Sequence, residues 1–475
     1  MSRSRGSSIR TAVVVGACLA ALAACTGSNA SAGGAGDEAS PGVSADDISV
    51  GYLVADSGTL SKRLGFNIIN DGGYAVTSKG VQAAVDYVNA NGGAGGRKMT
   101  AVIKPYDSNL DSPEYAEAQC RAFTQDSKVF AVAMEAQFQN NSRPCYQASR
   151  TIMLDLTLIA HDQTEFQSFS PYLWSPSIPA LDTFVQQQLQ VTQGAGWFTG
   201  TKGVKVVAPD TDVTRRVAEQ IVLPYLKAQG ITNSDAFYID VSNAGTLGAT
   251  TSAALNSATN QGQDRVFTIG GTRVLDVMLA VPEAESLNAK YSISSFDYPA
   301  FLVDNPGTIV GAKRSGMAGL GYSPALDMRL NSSDEVFPDP TRPTEGLCKK
   351  IIDDAGATPP ETARENYRVD MQFCESTLLL KAALDKAPKD VTPNGFRDAV
   401  WGLGTTWIAA TTYGSSWQPN QYAGATVVRG TLWDDNCTLT GRTAKGCFRW
   451  GTGDIALPAP AAAVAPAASQ PATTP

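Results

Sequence analysis

Histidine is nearly missing: His161 is the single one in 475 residues. No Cys-x-x-Cys is present either. Structural zinc is usually held by closely spaced Cys and His, so a zinc site is not expected; no metal or cofactor is expected. No Gly-x-Ser-x-Gly elbow appears, so a Ser/His/Asp hydrolase would lack its nucleophile turn. The chain is therefore read as a non-enzyme, with a hydrolase as the most distant alternative. His161, in Leu-Ile-Ala-His-Asp, reads as a surface or cleft residue. There is no Lys/Arg-rich run, and the formal net charge is −8. Both argue against a nucleic-acid partner. The Asp434–Asp435 pair lacks the spaced carboxylates of an EF-hand and reads as a turn. The apolar run from Thr11 to Ala24 is shorter than the roughly 20 residues of a membrane span.

That run has a meaning of its own. Arg3, Arg5 and Arg10 precede it, and a basic head before a short apolar core is a secretory signal. It ends Leu22-Ala23-Ala24-Cys25, which resembles a bacterial lipobox, although an ordinary Ala-x-Ala cleavage site also fits. The expectation is a signal peptide over 1–24, lipid on Cys25 and a location on the extracytoplasmic face of the cell membrane. Residues 25–45 are mostly Gly, Ser, Ala and Asn. They bury too little apolar surface to offset their ordering entropy and read as a tether. Residues 454–475 are rich in Ala and Pro and read as a disordered tail.

The body between them holds roughly 400 residues, too many for one core, so two lobes are expected. Six cysteines remain there: Cys120, Cys145, Cys348, Cys374, Cys437 and Cys447. An even number in an exported chain points to disulfides. Connectivity is not deducible from spacing, but neighbour pairing is the simplest scheme.

Periodicity alternates along the body. Strand patterns at Ile48–Val54, Met99–Asp107, Lys128–Met134 and Thr151–Leu156 are separated by helical ones. Strands at Val204–Pro209, Ala236–Val241, Arg265–Gly270 and Tyr291–Phe296 repeat the scheme. This β-α-β order predicts parallel sheets covered by helices. A long helix follows near Asn366–Lys386, then a β-rich end holding Thr405–Thr412 and Ala425–Leu432. The run Gly92-Gly93-Ala94-Gly95-Gly96 stands between a helix and a strand. A dinucleotide loop needs the reverse order, strand before helix. The glycines therefore cap a helix and turn a corner.

That corner also carries a resemblance. Val88-Asn89-Ala90-Asn91-Gly92-Gly93, then Gly96-Arg97-Lys98-Met99, then a strand and Tyr106-Asp107, is similar to a segment of the type I periplasmic binding proteins. These are the branched-chain amino acid-binding group of ABC-transporter receptors. Asp56-Ser57-Gly58-Thr59-Leu60 resembles the opening of that family, and Cys120 with Cys145 resembles its early disulfide. The resemblance implies two Rossmann-like α/β lobes joined by a three-strand hinge, with solute between them. It puts lobe 1 at 46–177 and 317–407, and lobe 2 at 178–316 and 408–453. The crossings would fall near Pro176–Pro179, Ser315–Gly319 and Thr406–Ala410. The run Glu135–Ser142 departs from the family's small Ser/Thr residues and leaves the solute open.

Ligands in open α/β sheets bind at the carboxyl ends of strands. That rule selects Ser57, Gln137, Asn140 and Thr157 from lobe 1, and Asp210, Thr211 and Tyr298 from lobe 2. Helix starts behind Asn141 and Thr211 are candidate anion sites. The implied function is capture of a small polar solute, such as an amino acid or amide, for an ABC permease by a monomer. The alternative is a sensor or envelope interaction protein on the same fold.

Overall fold

The structure, a computed structural model, describes residues 38–56, 72–135, 137, 139–241, 245–299, 314–327, 337–359, 364–438 and 445–460. The signal segment, Cys25, Ser57 and most of the C-terminal tail lie outside these residues.

The first sheet contains β1 (Asp47–Ala55), β2 (Lys98–Tyr106), β3 (Ala131–Met134), β4 (Ile152–Asp155) and β5 (Leu173–Trp174). Their spatial order is β2-β1-β3-β4-β5, and every pairing is parallel. Helices α1 (Gly73–Ala90), α2 (Pro113–Arg121), α3 (Arg143–Ala148) and α4 (Gln163–Ser168) connect them. Every residue of β3 and β4 is buried. Strands buried on both faces read as continuous apolar runs, which is why they were visible in the sequence. Helix α1 buries Val81, Ala84, Val85 and Val88 along one face.

The glycine run turns the corner from α1 into β2. Gly92, Gly93, Gly95 and Gly96 all have positive φ. The Gly93 N–H donates to the Val88 carbonyl at 2.9 Å, closing the helix end. A Cβ at Gly93 would lie 2.0 Å from the Arg97 carbonyl oxygen, so only glycine fits.

The second sheet begins after α5 (Leu181–Gly194). It contains β6 (Val204–Pro209), β7 (Ser234–Ile239), β8 (Arg265–Thr268), β9 (Lys290–Ser294) and β10 (Ala318–Gly321). Helices α6 (Asp212–Val217), α7 (Leu223–Ala228), α8 (Leu247–Asn260), α9 (Thr272–Ala280) and α10 (Glu283–Ser286) lie among them. Between α6 and α7 the helical run is interrupted by a π-turn at Ala218–Val222. Pro224 explains the break, since it has no N–H for the helical ladder. Helices α11 (Pro343–Asp354), α12 (Arg364–Leu384) and α13 (Pro393–Trp401) then return to the first sheet; α11 and α12 pack on α1. Strands β11 (Val427–Thr438) and β12 (Lys445–Ala456) finish the second sheet, in the order β12-β11-β10-β9-β8-β6-β7.

Several expectations need correction. Segment 317–321, assigned to lobe 1, belongs to the second sheet, because β10 pairs parallel with β9 and antiparallel with β11. The crossing expected at Ser315–Gly319 therefore falls after β10. The second sheet is mixed, since β11 and β12 run antiparallel. Thr405–Thr412 forms no strand and lies in the connection between α13 and β11. Residues 40–44, read as tether, are docked: the Ser40 N–H donates to the Val391 carbonyl at 3.1 Å, and Val43 bridges Ile48. Strand β12 runs to Ala456, past the expected end of the body.

The disulfides are Cys120–Cys145, Cys348–Cys374 and Cys437–Cys447, the neighbour pairing. Among the described residues, no helix is long and apolar enough to cross a membrane.

Candidate ligand cleft

A cavity of ≈ 170 Å³ opens at the carboxyl ends of the strands of both sheets. Gln139 and Asn140 come from the turn after β3, and Leu158, Ile159 and Ala160 from the turn after β4. Pro209, Asp210, Thr211 and Thr214 follow β6; Asp240 and Val241 follow β7; Gly270 and Gly271 follow β8. In the first sheet β2 and β3 flank β1, and in the second β7 and β8 flank β6. Open sheets bind ligands where the strand order reverses in this way. Gly270 has a φ of 39°, a backbone conformation that favours glycine, while a Cβ there would make only ordinary contact with Leu181 and Ala160 at 3.4 and 3.5 Å.

Three of the seven expected site residues, Asn140, Asp210 and Thr211, line this cavity. Gln137, Thr157 and Tyr298 do not. Gln137 is buried, its amide N–H reaching Ser142 Oγ at 3.5 Å. Thr157 spends its hydroxyl on Asp155 Oδ1 at 2.5 Å, closing a turn at the end of β4. Tyr298 packs into the core of the second sheet. Ser57 lies outside the described residues. Asp240 was missed because the expected strand ran to Val241, two residues past the end of β7 at Ile239. The helix start at Thr211, read as an anion site, is partly satisfied within the chain. Thr211 Oγ1 accepts from the Thr214 N–H at 3.2 Å within a capping box, and Asp212 sits in the first turn.

No protein-family model and no curated protein matches the chain. Solved structures do. A solute-binding protein from Rhodopseudomonas palustris in complex with 4-hydroxybenzoate aligns with a TM-score of 0.58 at 14% identity, over 87% of this chain and 98% of its own. An ABC transporter substrate-binding protein from Desulfitobacterium hafniense in complex with Leu gives 0.51 at 16%, over 85% and 100%. A branched-chain amino acid transporter substrate-binding protein from Streptococcus pneumoniae in complex with isoleucine gives 0.52 at 13%, over 85% and 100%. The fold is that of the type I periplasmic binding proteins.

In this periplasmic binding fold the turn after β4 does more than line the cleft. His161 is buried, not on a surface or in the cleft. Its Nε2 lies 3.0 Å from Asp155 Oδ2 and its Nδ1 2.7 Å from Glu165 Oε2. Arg143 donates to Asp155 Oδ2 at 2.5 Å. Burial works against the Asp155 charge, but Arg143, His161 and Thr157 outweigh it and hold the carboxyl well below the usual range. Burial and Arg143 work against a charged His161, yet Glu165 and Asp155 prevail and raise its pKa. The next residue, Asp162, reaches the other sheet. Arg216 on α6 donates to it from Nε and Nη2 at 2.7 and 2.8 Å. Asp162 also caps α4, accepting from the Glu165 N–H at 2.8 Å. The Asp-x-x-Glu spacing was the available sequence signal for that cap; nothing local points to Arg216.

Proposed function

We propose that this chain captures a small polar solute between its two sheets and delivers it to an ABC permease, as an extracytoplasmic lipoprotein held by Cys25. The observation that supports the reading best is the cavity at facing strand ends, in a fold whose solved neighbours are substrate-binding proteins of ABC transporters. Those neighbours are in complex with Leu, 4-hydroxybenzoate and isoleucine. The test is a thermal-shift screen of amino acids, amides, ureas, aromatic acids and amines. A ligand at 100 times its dissociation constant adds roughly 2.7 kcal/mol to stability. One solute class should raise the melting temperature. A screen in which no class does so removes the solute-binding reading.

A further inference from the structure

We propose that solute capture is proton-linked through His161: its charged ring holds the turn that lines the cavity, so the closed cleft binds a proton more tightly than the open one. The coupling rests on the capture reading and adds a regulator to it.

One carboxylate clamps that turn at both ends. Asp155 Oδ1 accepts from the Thr157 N–H and hydroxyl at 2.9 and 2.5 Å. Asp155 Oδ2 faces His161 Nε2 at 3.0 Å. Leu158, Ile159 and Ala160 lie between those two ends and line the cavity. His161 also carries the turn to the second sheet. Its carbonyl accepts from the Leu181 N–H at the start of α5 at 2.7 Å. The next residue, Asp162, holds Arg216 on α6.

The groups around the ring favour a proton on it. Asp155 on β4 and Glu165 on α4 stand at its two nitrogens, at 3.0 and 2.7 Å. Only the charged ring donates from both. Arg143 on α3 is the cation beside them, its Nη2 3.3 Å from His161 Nε2. Two cations then balance two carboxylates, with His161, Arg143 and Asp155 all buried. From the second sheet, Asp182 on α5 and Arg216 on α6 act on Asp162.

Nε2 is the nitrogen that gives the proton up, because Arg143 stands ready to donate to it while Glu165 keeps the Nδ1 proton. Asp155 then loses the imidazole donor and shares Arg143 with the ring. The far end of the lining turn loses its clamp, and with it the reach to α5 and α6. Protonation therefore favours the closed cleft, and by reciprocity closure tightens the proton.

The single histidine makes the test direct. The full chain in detergent, carrying 13C in its one imidazole, is titrated by NMR as wild type and as Arg216→Gln. Loss of a nearby cation would by itself raise the ring's proton affinity. Coupling through the turn should instead lower it about fivefold. An unchanged or raised affinity in Arg216→Gln overturns the proposal, as does a wild-type midpoint below 6.5. Calorimetry with leucine, acetamide, urea and 4-hydroxybenzoate follows, at about one pH unit below and above that midpoint. Any of them that binds should do so about threefold more tightly at the lower pH, and His161→Gln should remove the difference. Equal wild-type affinities, or a difference that persists in His161→Gln, overturn the proposal while capture stands. If none of the four binds, capture of these solutes falls, and the two NMR titrations still decide the coupling.

Discussion

His161 shows how a lone residue is placed by its surroundings. A charged imidazole between Asp155 and Glu165 is favoured in the folded chain, so its pKa stands above 6.5 there. Its contribution to stability is complete below pH 6.5 and is lost as pH rises through the raised folded value. Asp155 behaves in the opposite sense: its contribution is present above its ordinary value of 3.8 and is lost as pH falls through the depressed one. Burial also pushes Asp297, Asp327 and Glu375 up to about 7, so they too favour the folded chain less as pH rises from their unfolded values to 7. The difference between wild type and His161→Gln therefore isolates the imidazole. The variant should lose about 1–3 kcal/mol at pH 6 and less at pH 8, read from denaturant midpoints. An equal loss at both would mean that His161 is held as the neutral ring. Cys25 makes a second prediction at this scale. If lipid is the only anchor, Cys25→Ala should move the protein from the membrane to the soluble fraction, and unchanged fractionation would count against the lipoprotein proposal.

Elements differ in how openly the sequence declares them. β3 and β4 were legible because buried parallel strands are mostly apolar, Asp155 at the end of β4 being the exception. β10 was not, because Ala318-Gly319-Leu320-Gly321 carries two glycines. Gly319 is there for contact rather than propensity: a Cβ would lie 1.6 Å from the Ile293 carbonyl oxygen on β9. Thr405–Thr412 misled in the other direction, since β-prone residues there serve a connection. The cleft was partly legible for the same reason. Strand ends located Asn140, Asp210 and Thr211, but side-chain aim at Gln137, Thr157 and Tyr298 is set by tertiary partners that local sequence does not name. The glycine corner gives a direct test of an element that was read correctly. Gly93 has a φ of 74° and no room for a Cβ. Gly93→Ala should cost about 1 kcal/mol or more, lowering the melting temperature. An unaltered melt would mean that the corner relaxes. Cys348–Cys374 joins α11 to α12 across 26 residues. Replacing both with alanine should cost about 3 kcal/mol in the chain-entropy picture, and denaturation of that double variant measures it.

At the scale of the whole molecule, the connections between sheets are held by carboxylates. Glu375 on α12 accepts from the Ala410 and Thr411 N–H groups at 2.6 and 3.0 Å. Asp327, in the connection after β10, accepts from Tyr413 Oη at 2.8 Å and from Ser323 N–H at 3.1 Å. Each of these bonds involves a connection between the sheets. Asp162–Arg216 is different, because it ties a turn of the first sheet to a helix of the second beside the cavity. If the sheets part to admit solute, this pair must break and Asp162 must regain water. A ligand bound between the sheets can only shift that equilibrium by what it gains in the closed form. Removing Arg216 therefore weakens binding without touching a lining residue. Arg216 is about 30% exposed and Asp162 nearly buried, so the loss should be about 1–2 kcal/mol, between surface and buried pairs. Arg216→Ala should then weaken solute affinity roughly five- to thirtyfold. Scattering of the solute-free variant should show a larger radius of gyration than wild type, while saturating solute brings the two together. Equal radii and equal affinity would mean that the pair is an accessory contact, and that closure is governed by the connections alone.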